Sequence, residues 1–231
     1  YPDVNTCTDY QEVLSNKEIN AVVIAAPAVL HFELAKKAIL HGKDVFVEKP
    51  LALNAQDGEA LVKLAKEKNR ILMVGHLLHY HPAINELKRL VASGELGKLQ
   101  YIYSNRLNFG KIRREENILW SFAPHDISVI LGLLGEEPTS ISATGSRHLS
   151  PDIDDTTVSQ LSFSNGINAH IFVSWLHPFK EQKLVVVGEK QMAVFDDMLP
   201  WDEKLTLYPH KVVWLNHLPQ AEKAQGNAVK L

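Results

Sequence analysis

The first third of the chain alternates short apolar runs with helical patterns, and that rhythm permits few folds. Ala21-Val22-Val23-Ile24-Ala25 is continuous, β-branched and stopped by Ala26-Pro27, as expected of a strand buried on both faces. Asp44 to Val47 and Ile71 to Val74 repeat the pattern, stopped by Glu48-Lys49-Pro50 and Gly75-His76. Between these runs, residues 31–41 and 55–68 space their apolar side chains as helices do. Gly42 suits the left-handed position after the first helix, and Asn54 suits the N-cap of the second. A short helix from Asp9 to Ser15, with Asp9 as its cap, precedes the first strand, and residues 82–93, ended by Gly94, make another helix. Strand–helix alternation of this kind predicts a doubly wound parallel sheet with right-handed crossovers.

Beyond residue 98 the pattern changes. Leu99 to Leu107 alternates as a strand, a helix is expected from about Ser121 to Leu134, and strand-like runs follow at 139–146, 155–163, 167–176, 183–188, 191–196, 204–208 and 212–216. Asn165-Gly166 between two runs is a hairpin signal. The expectation is an α/β part followed by an α+β part: a partial Rossmann-type parallel sheet over residues 1–80, then an open antiparallel β-sheet domain with helices on one face over residues 81–231.

Composition narrows the function. The 231 residues carry a net charge of −3 and no basic stretch that would track a phosphate backbone, so nucleic acid is not the expected partner. The apolar runs are far shorter than the roughly 20 residues a membrane span needs. Cys7 is the only cysteine. It excludes an intrachain disulfide and fits a reducing, cytoplasmic setting. An open sheet with an apolar face predicts a homo-dimer or homo-tetramer. The chain begins Tyr1-Pro2-Asp3, with no initiator Met, and reads as one entered midway.

In parallel α/β sheets, ligands bind beyond the carboxyl ends of the strands. Lys49 stands at such an end, between a buried strand and a proline. An ammonium held there can hydrogen-bond a substrate hydroxyl and favour its ionised form; the plain alternative is a solvated turn lysine. A cis Lys49–Pro50 bond would aim it inward. His125 follows Pro124 in what reads as the first turn of the later helix, where the helix N-terminus would lower its pKa and suit it to act as a base. Asp126 is the alternative helix cap, and a packed core histidine is the alternative for His125. His76, His79 and His81 invite a metal reading, but their spacing is irregular and no thiolate or carboxylate joins them, so no metal is expected. Residues 104–114 are polar and basic after a strand, as a loop that binds an anionic or polyhydroxylated ligand would be, or a merely solvated one.

The pieces Ala21 to Pro27 followed by His31, Gly42 to Leu51 with its Glu48-Lys49-Pro50 strand end, Met73 to His76, Pro82, Ser93 to Gly97, and Leu119 to Ile127 resemble, in order and spacing, the Gfo/Idh/MocA family of nicotinamide-dependent sugar oxidoreductases. The resemblance runs over about residues 9–200. It implies NAD or NADP as cofactor, Lys49 and His125 as catalytic residues, and Ala26, Pro27, His31, Glu48, Lys49 and His76 beside the cofactor. It further implies hydride transfer between a sugar carbon and nicotinamide. Asn105 to Lys111 together with Trp120 to Asp126 is most similar to the nucleotide-sugar branch, whose members oxidise the 3-hydroxyl of UDP-N-acetylglucosamine or its uronic acid. Tyr80, Arg106, Asn108, Lys111, Arg113, Ser121 and His125 are then substrate contacts. A free polyol or aldose such as inositol or glucose is the alternative substrate, and a binding module without catalysis is the alternative function.

Two departures from the family pattern stand out. Ser121 occupies the position, four residues before His125, where the family often has aspartate. The family's opening strand, Gly-x-Gly-x-x-Gly turn and helix have no counterpart in these 231 residues, and the last family elements are also unmatched. The chain is therefore expected to be an internal part of a longer enzyme.

Overall fold

The computed structural model describes residues 3–231; Tyr1 and Pro2, where the sequence opens without Met, lie outside the described residues. Two compact units divide between His76 and Leu77.

The first unit contains α1 (Tyr10–Ser15), β1 (Ala21–Ile24), α2 (His31–Leu40), β2 (Asp44–Val47), α3 (Ala55–Glu67) and β3 (Leu72–Val74). Asp9 caps α1 by accepting the Gln11 N–H, and Asn54 caps α3 by accepting the Asp57 N–H. The strands form a parallel sheet in the order β1-β2-β3, with Ile24, Val47 and Val74 in register. Val22, Ile24, Val45 and Val47 pack with Leu14 of α1, with Ala35, Ala38 and Ile39 of α2, and with Leu61 and Ala65 of α3. The opposite face is bare: the row Val23–Phe46–Met73 crosses all three strands, with Val23 71% and Met73 37% exposed.

The second unit contains α4 (Pro82–Ala92), β4 (Leu99–Leu107), α5 (Ile118–Leu134), β5 (Ser140–Ser146), β6 (Thr156–Ser162), β7 (Asn168–Ser174), β8 (Glu181–Gly188), β9 (Gln191–Asp196), β10 (Leu205–Leu215), β11 (Leu218–Lys223) and β12 (Asn227–Ala228). Its nine-stranded sheet runs β11-β10-β9-β8-β4-β7-β6-β5, with β12 also on β10. The sheet is mixed rather than wholly antiparallel, because β4 pairs parallel with β7. Ile102, Leu161, Ala169, Ile171, Leu184 and Phe195 face the buried sides of α4 and α5 in one core. The turn after β6 holds Gly166 at φ 84°, with Ile167 N–H on the Asn165 side chain; glycine takes that left-handed position without strain.

Three expectations need correction. Residues 204–208 and 212–216 are one strand, β10. Pro209 lacks an N–H, yet it falls where pairing passes from β9 to β11 and so interrupts no ladder. Helix α5 begins at Ile118, capped by Asn117, about one turn earlier than Ser121. Pro124 is thus inside the helix and His125 lies beyond its first turn, so the helix N-terminus is not beside the imidazole. Asp126 caps nothing; it is buried against Arg106. Among the described residues, no helix is long and apolar enough to cross a membrane.

Candidate active site

In the first unit the three strand ends lie side by side. Glu48 N–H donates to the Ile24 carbonyl at 2.9 Å, and Gly75 N–H donates to the Val47 carbonyl at 2.8 Å. These bonds carry the parallel ladder past the strands and hold Ala26-Pro27, Glu48-Lys49-Pro50 and Gly75-His76 in adjacent loops. His31 opens α2 and is 1% exposed. Its Nε2 is 2.8 Å from the Ala26 carbonyl and its Nδ1 2.7 Å from the Pro50 carbonyl. Both ring nitrogens thus face backbone carbonyls; a neutral ring has one N–H to donate, so it bonds one carbonyl and packs against the other, lying between the loop after β1 and the loop after β2.

The Lys49–Pro50 peptide is cis, and Lys49 is half-buried. The Glu48 side chain folds across Gly75: a Cβ at Gly75 would come within 3.2 Å of Glu48 Oε1. Glycine there leaves room for a carboxylate beside a lysine at the mouth of a parallel sheet. Ala26 is half-buried, Pro27 exposed and His76 half-buried in the same group of loops.

In the second unit α5 places Ser121 and His125 one above the other, four residues apart. Ser121 is buried and His125 half-buried. Arg106 of β4 is 8% exposed, and its Nε and Nη2 donate to Asp126 Oδ2 and Oδ1 at 2.7 and 3.2 Å. Asn108, just past β4, donates its backbone N–H to the Ser174 carbonyl. Lys111 is exposed, Arg113 lies 3.7 Å from Glu116, and Tyr80 is exposed at the end of the turn before α4.

Two histidines of the suspected metal group have other work. His79 Nδ1 is 2.9 Å from the Lys88 ammonium and its Nε2 is 2.6 Å from Ser128 Oγ. Lysine can only donate, so Nδ1 accepts and Nε2 carries the proton toward Ser128. The ring cannot then deprotonate that serine, and no Ser–His nucleophile forms. Burial, reinforced by the Lys88 charge, lowers the His79 pKa. His81 caps α4 by accepting the Ala83 N–H on Nδ1, and burial lowers its pKa although Asp197 opposes the shift. Among the described residues, no group of three or more His, Cys, Asp or Glu side chains converges as a metal site.

Sequence reasoning missed three of these relations: the pairing of Arg106 with Asp126, the double engagement of His31, and the fit of Glu48 over Gly75. The third had a readable signal in the bare glycine at a strand end. Arg106–Asp126 and His31–Pro50 join residues 20 and 19 positions apart and leave no local pattern.

The first unit carries a parallel strand-end cluster, and the second a mixed sheet packed by a histidine-bearing helix. Residues 1–76 match the model of an oxidoreductase family with an NAD-binding Rossmann fold, and residues 84–194 match the GFO/IDH/MocA C-terminal domain. The chain belongs to the Gfo/Idh/MocA family. It is 28% identical over 210 residues to a 2,7-anhydro-N-acetylneuraminate hydratase of Mediterraneibacter gnavus, covering 84% of this chain and 56% of that protein. It is 30% identical over 158 residues to the UDP-N-acetylglucosamine 3-dehydrogenase of Acidithiobacillus ferrooxidans, covering 68% and 49%. The crystal structure of GenD2 from gentamicin A biosynthesis, in complex with NAD, superposes with a TM-score of 0.77 at 25% identity, covering 82% of this chain and 58% of that one. The chain spans 56% and 61% of the length of the first two curated relatives it matches.

The residues present fit one end of such a cofactor. The Glu48 carboxylate beside bare Gly75 offers an acceptor of the kind a ribose hydroxyl needs. No Gly-x-Gly-x-x-Gly turn occurs in the sequence to cradle the diphosphate.

Proposed function

We propose that this chain carries the reacting end and the sugar-binding domain of an NAD(P)-dependent dehydrogenase that oxidises a secondary hydroxyl of a UDP-N-acetyl sugar. The supporting observation is the strand-end cluster: the His31 ring between the Ala26 and Pro50 carbonyls, with Lys49 between that ring and the Glu48–Gly75 contact. The likeness to a UDP-N-acetylglucosamine 3-dehydrogenase supports the nucleotide-sugar class. NAD, when bound, supplies the hydride acceptor. In this reading Lys49 donates a hydrogen bond to the reacting hydroxyl and lowers its pKa. His125 takes the proton, with Ser121 one turn before it able to orient the ring but unable to add negative charge. Pro27 and His76 line the cofactor loops with Ala26. Asn108, Lys111, Arg113 and Tyr80 offer the polar contacts for sugar and diphosphate. The protein's contribution is placement and proton transfer.

The sheet face that carries Tyr101 and Val158, both exposed, and the stacked Tyr103 and His170 rings is proposed as the contact with a second copy of the chain. Light scattering that finds only monomer would remove that part of the reading.

The test is NADH formation by the complete protein with UDP-N-acetylglucosamine, its uronic acid, inositol and glucose. The expected result is turnover with a UDP-sugar, reduced about 100-fold or more by Lys49→Ala with the circular dichroism unchanged. Preference for a free polyol would overturn the substrate class, and full activity in Lys49→Ala would overturn the role of the lysine.

A further inference from the structure

Helix α5 presents mostly apolar residues to the sheet. Ile118, Ala123, Val129, Ile130 and Leu133 are buried, and the only buried polar groups among them are Ser121 and Asp126. Apolar packing is non-directional, so it fixes where a helix lies more firmly than how it is rotated. Asp126 supplies the missing direction. Its two oxygens meet the Arg106 fork at 2.7 and 3.2 Å, and both side chains are almost wholly buried, Arg106 at 10% and Asp126 at 3% exposure. A bidentate guanidinium–carboxylate pair has one good geometry, and turning α5 in either direction would break it.

Arg106 is itself braced. Gln182 is its register partner on β8. With the Gln182 amide oriented to satisfy both neighbours, its oxygen accepts from Arg106 Nη1 and its nitrogen donates to Asp197 Oδ2, each at 3.2 Å. Lys204 then donates to Asp197 Oδ1 at 2.7 Å. The chain Asp126–Arg106–Gln182–Asp197–Lys204 alternates charge and balances it.

His125 is the residue next to Asp126, about 100° around the helix. We infer that Arg106 is a positioning residue: its buried bond to Asp126 sets the rotation of α5 and thereby the direction of the His125 imidazole, and Arg106 does not contact substrate. The positioning stands on geometry alone; its catalytic meaning rests on the role proposed above for His125. Each Asp126 oxygen accepts one bond from Arg106, so the carboxylate nearest His125 in sequence is anchored toward β4.

The experiment has two arms. The first is imidazole nitrogen-15 NMR on the chain, with His125 assigned by His125→Gln. Arg106→Lys keeps the charge and loses the fork. The double variant Arg106→Met with Asp126→Leu removes both charges and leaves neither orphaned. In both, the His125 ring signals are expected to move or broaden while the backbone spectrum away from α5 is retained. Unchanged His125 signals in a folded variant overturn the proposal. The second arm is steady-state kinetics of Arg106→Lys in the complete protein. Positioning predicts a fall in kcat of about tenfold or more with KM for the sugar unchanged. A raised KM at unchanged kcat makes Arg106 a substrate contact and overturns the proposal. Absence of turnover in the parent protein overturns the functional reading instead, and the spectra still decide the positioning.

Discussion

The imidazole of His31 and the carbonyl of Pro50 stand 2.7 Å apart, a hydrogen bond that fastens the start of α2 to the residue after Lys49. With the 2.8 Å contact to Ala26, one buried ring closes a triangle of α2, the β1 loop and the β2 loop. His31→Ala opens a cavity and removes the ring N–H that one of the two carbonyls accepts. The expected loss is about 3 kcal/mol, read from urea denaturation of the first unit. A loss below about 1 kcal/mol would mean that water replaces the ring and the clamp is dispensable.

Gly75→Ala tests the seat of Glu48. The new methyl would meet the end of a flexible carboxylate, 3.2 Å from Oε1, so stability should change by less than about 1 kcal/mol. The displaced carboxylate should cost the complete protein about tenfold in NAD affinity, measured by fluorescence titration. Unchanged affinity would remove Glu48 from the cofactor site.

Gly188→Ala is expected to behave quite differently. A Cβ at the end of β8 would overlap the Leu96 carbonyl oxygen and carbon, which are backbone atoms with nowhere to turn. Relief requires moving the loop before β4, at a cost of about 3 kcal/mol or more. Thermal unfolding of the second unit reports it, and a near-native melting temperature would contradict the packing described.

Acid should loosen the loop before β6. Asp155 accepts the His148 ring at 2.7 Å and the His148 and Leu149 backbone N–H groups at 2.6 and 2.8 Å. Burial pushes its carboxyl pKa up, but the His148 bond and the two backbone bonds outweigh it, and the net shift is below the ordinary 3.8. A native pKa below the unfolded one means stability that is complete above about pH 4 and lost as pH falls through the lower native value. Asp155→Asn should flatten that acid limb of the stability curve; an unaltered limb would assign it to other carboxylates.

The parallel unit was legible because its punctuation is local. Pro27, Pro50 and Gly75 stop strands for reasons that act within two residues, and Asp9 and Asn54 cap helices through their own side chains. Errors arose where one local signal had two meanings. Pro124 fits the first turn of a helix, yet in α5 it sits inside, because Asn117 offers a better cap one turn earlier and the apolar stripe continues through Leu119. Pro209 reads as a break, yet it marks a change of partner along one strand. The parallel pairing of β4 with β7 and the bond between Arg106 and Asp126 depend on which distant strands and helices meet. No window of sequence contains that information.

The row Val23–Phe46–Met73 makes the first unit's stability a property of its surroundings. An apolar stripe left in water on a parallel sheet favours whatever covers it, and any species that binds the folded form alone raises its apparent stability by mass action. The melting temperature of this unit should therefore rise with an added covering segment that leaves the second unit's melting temperature unchanged.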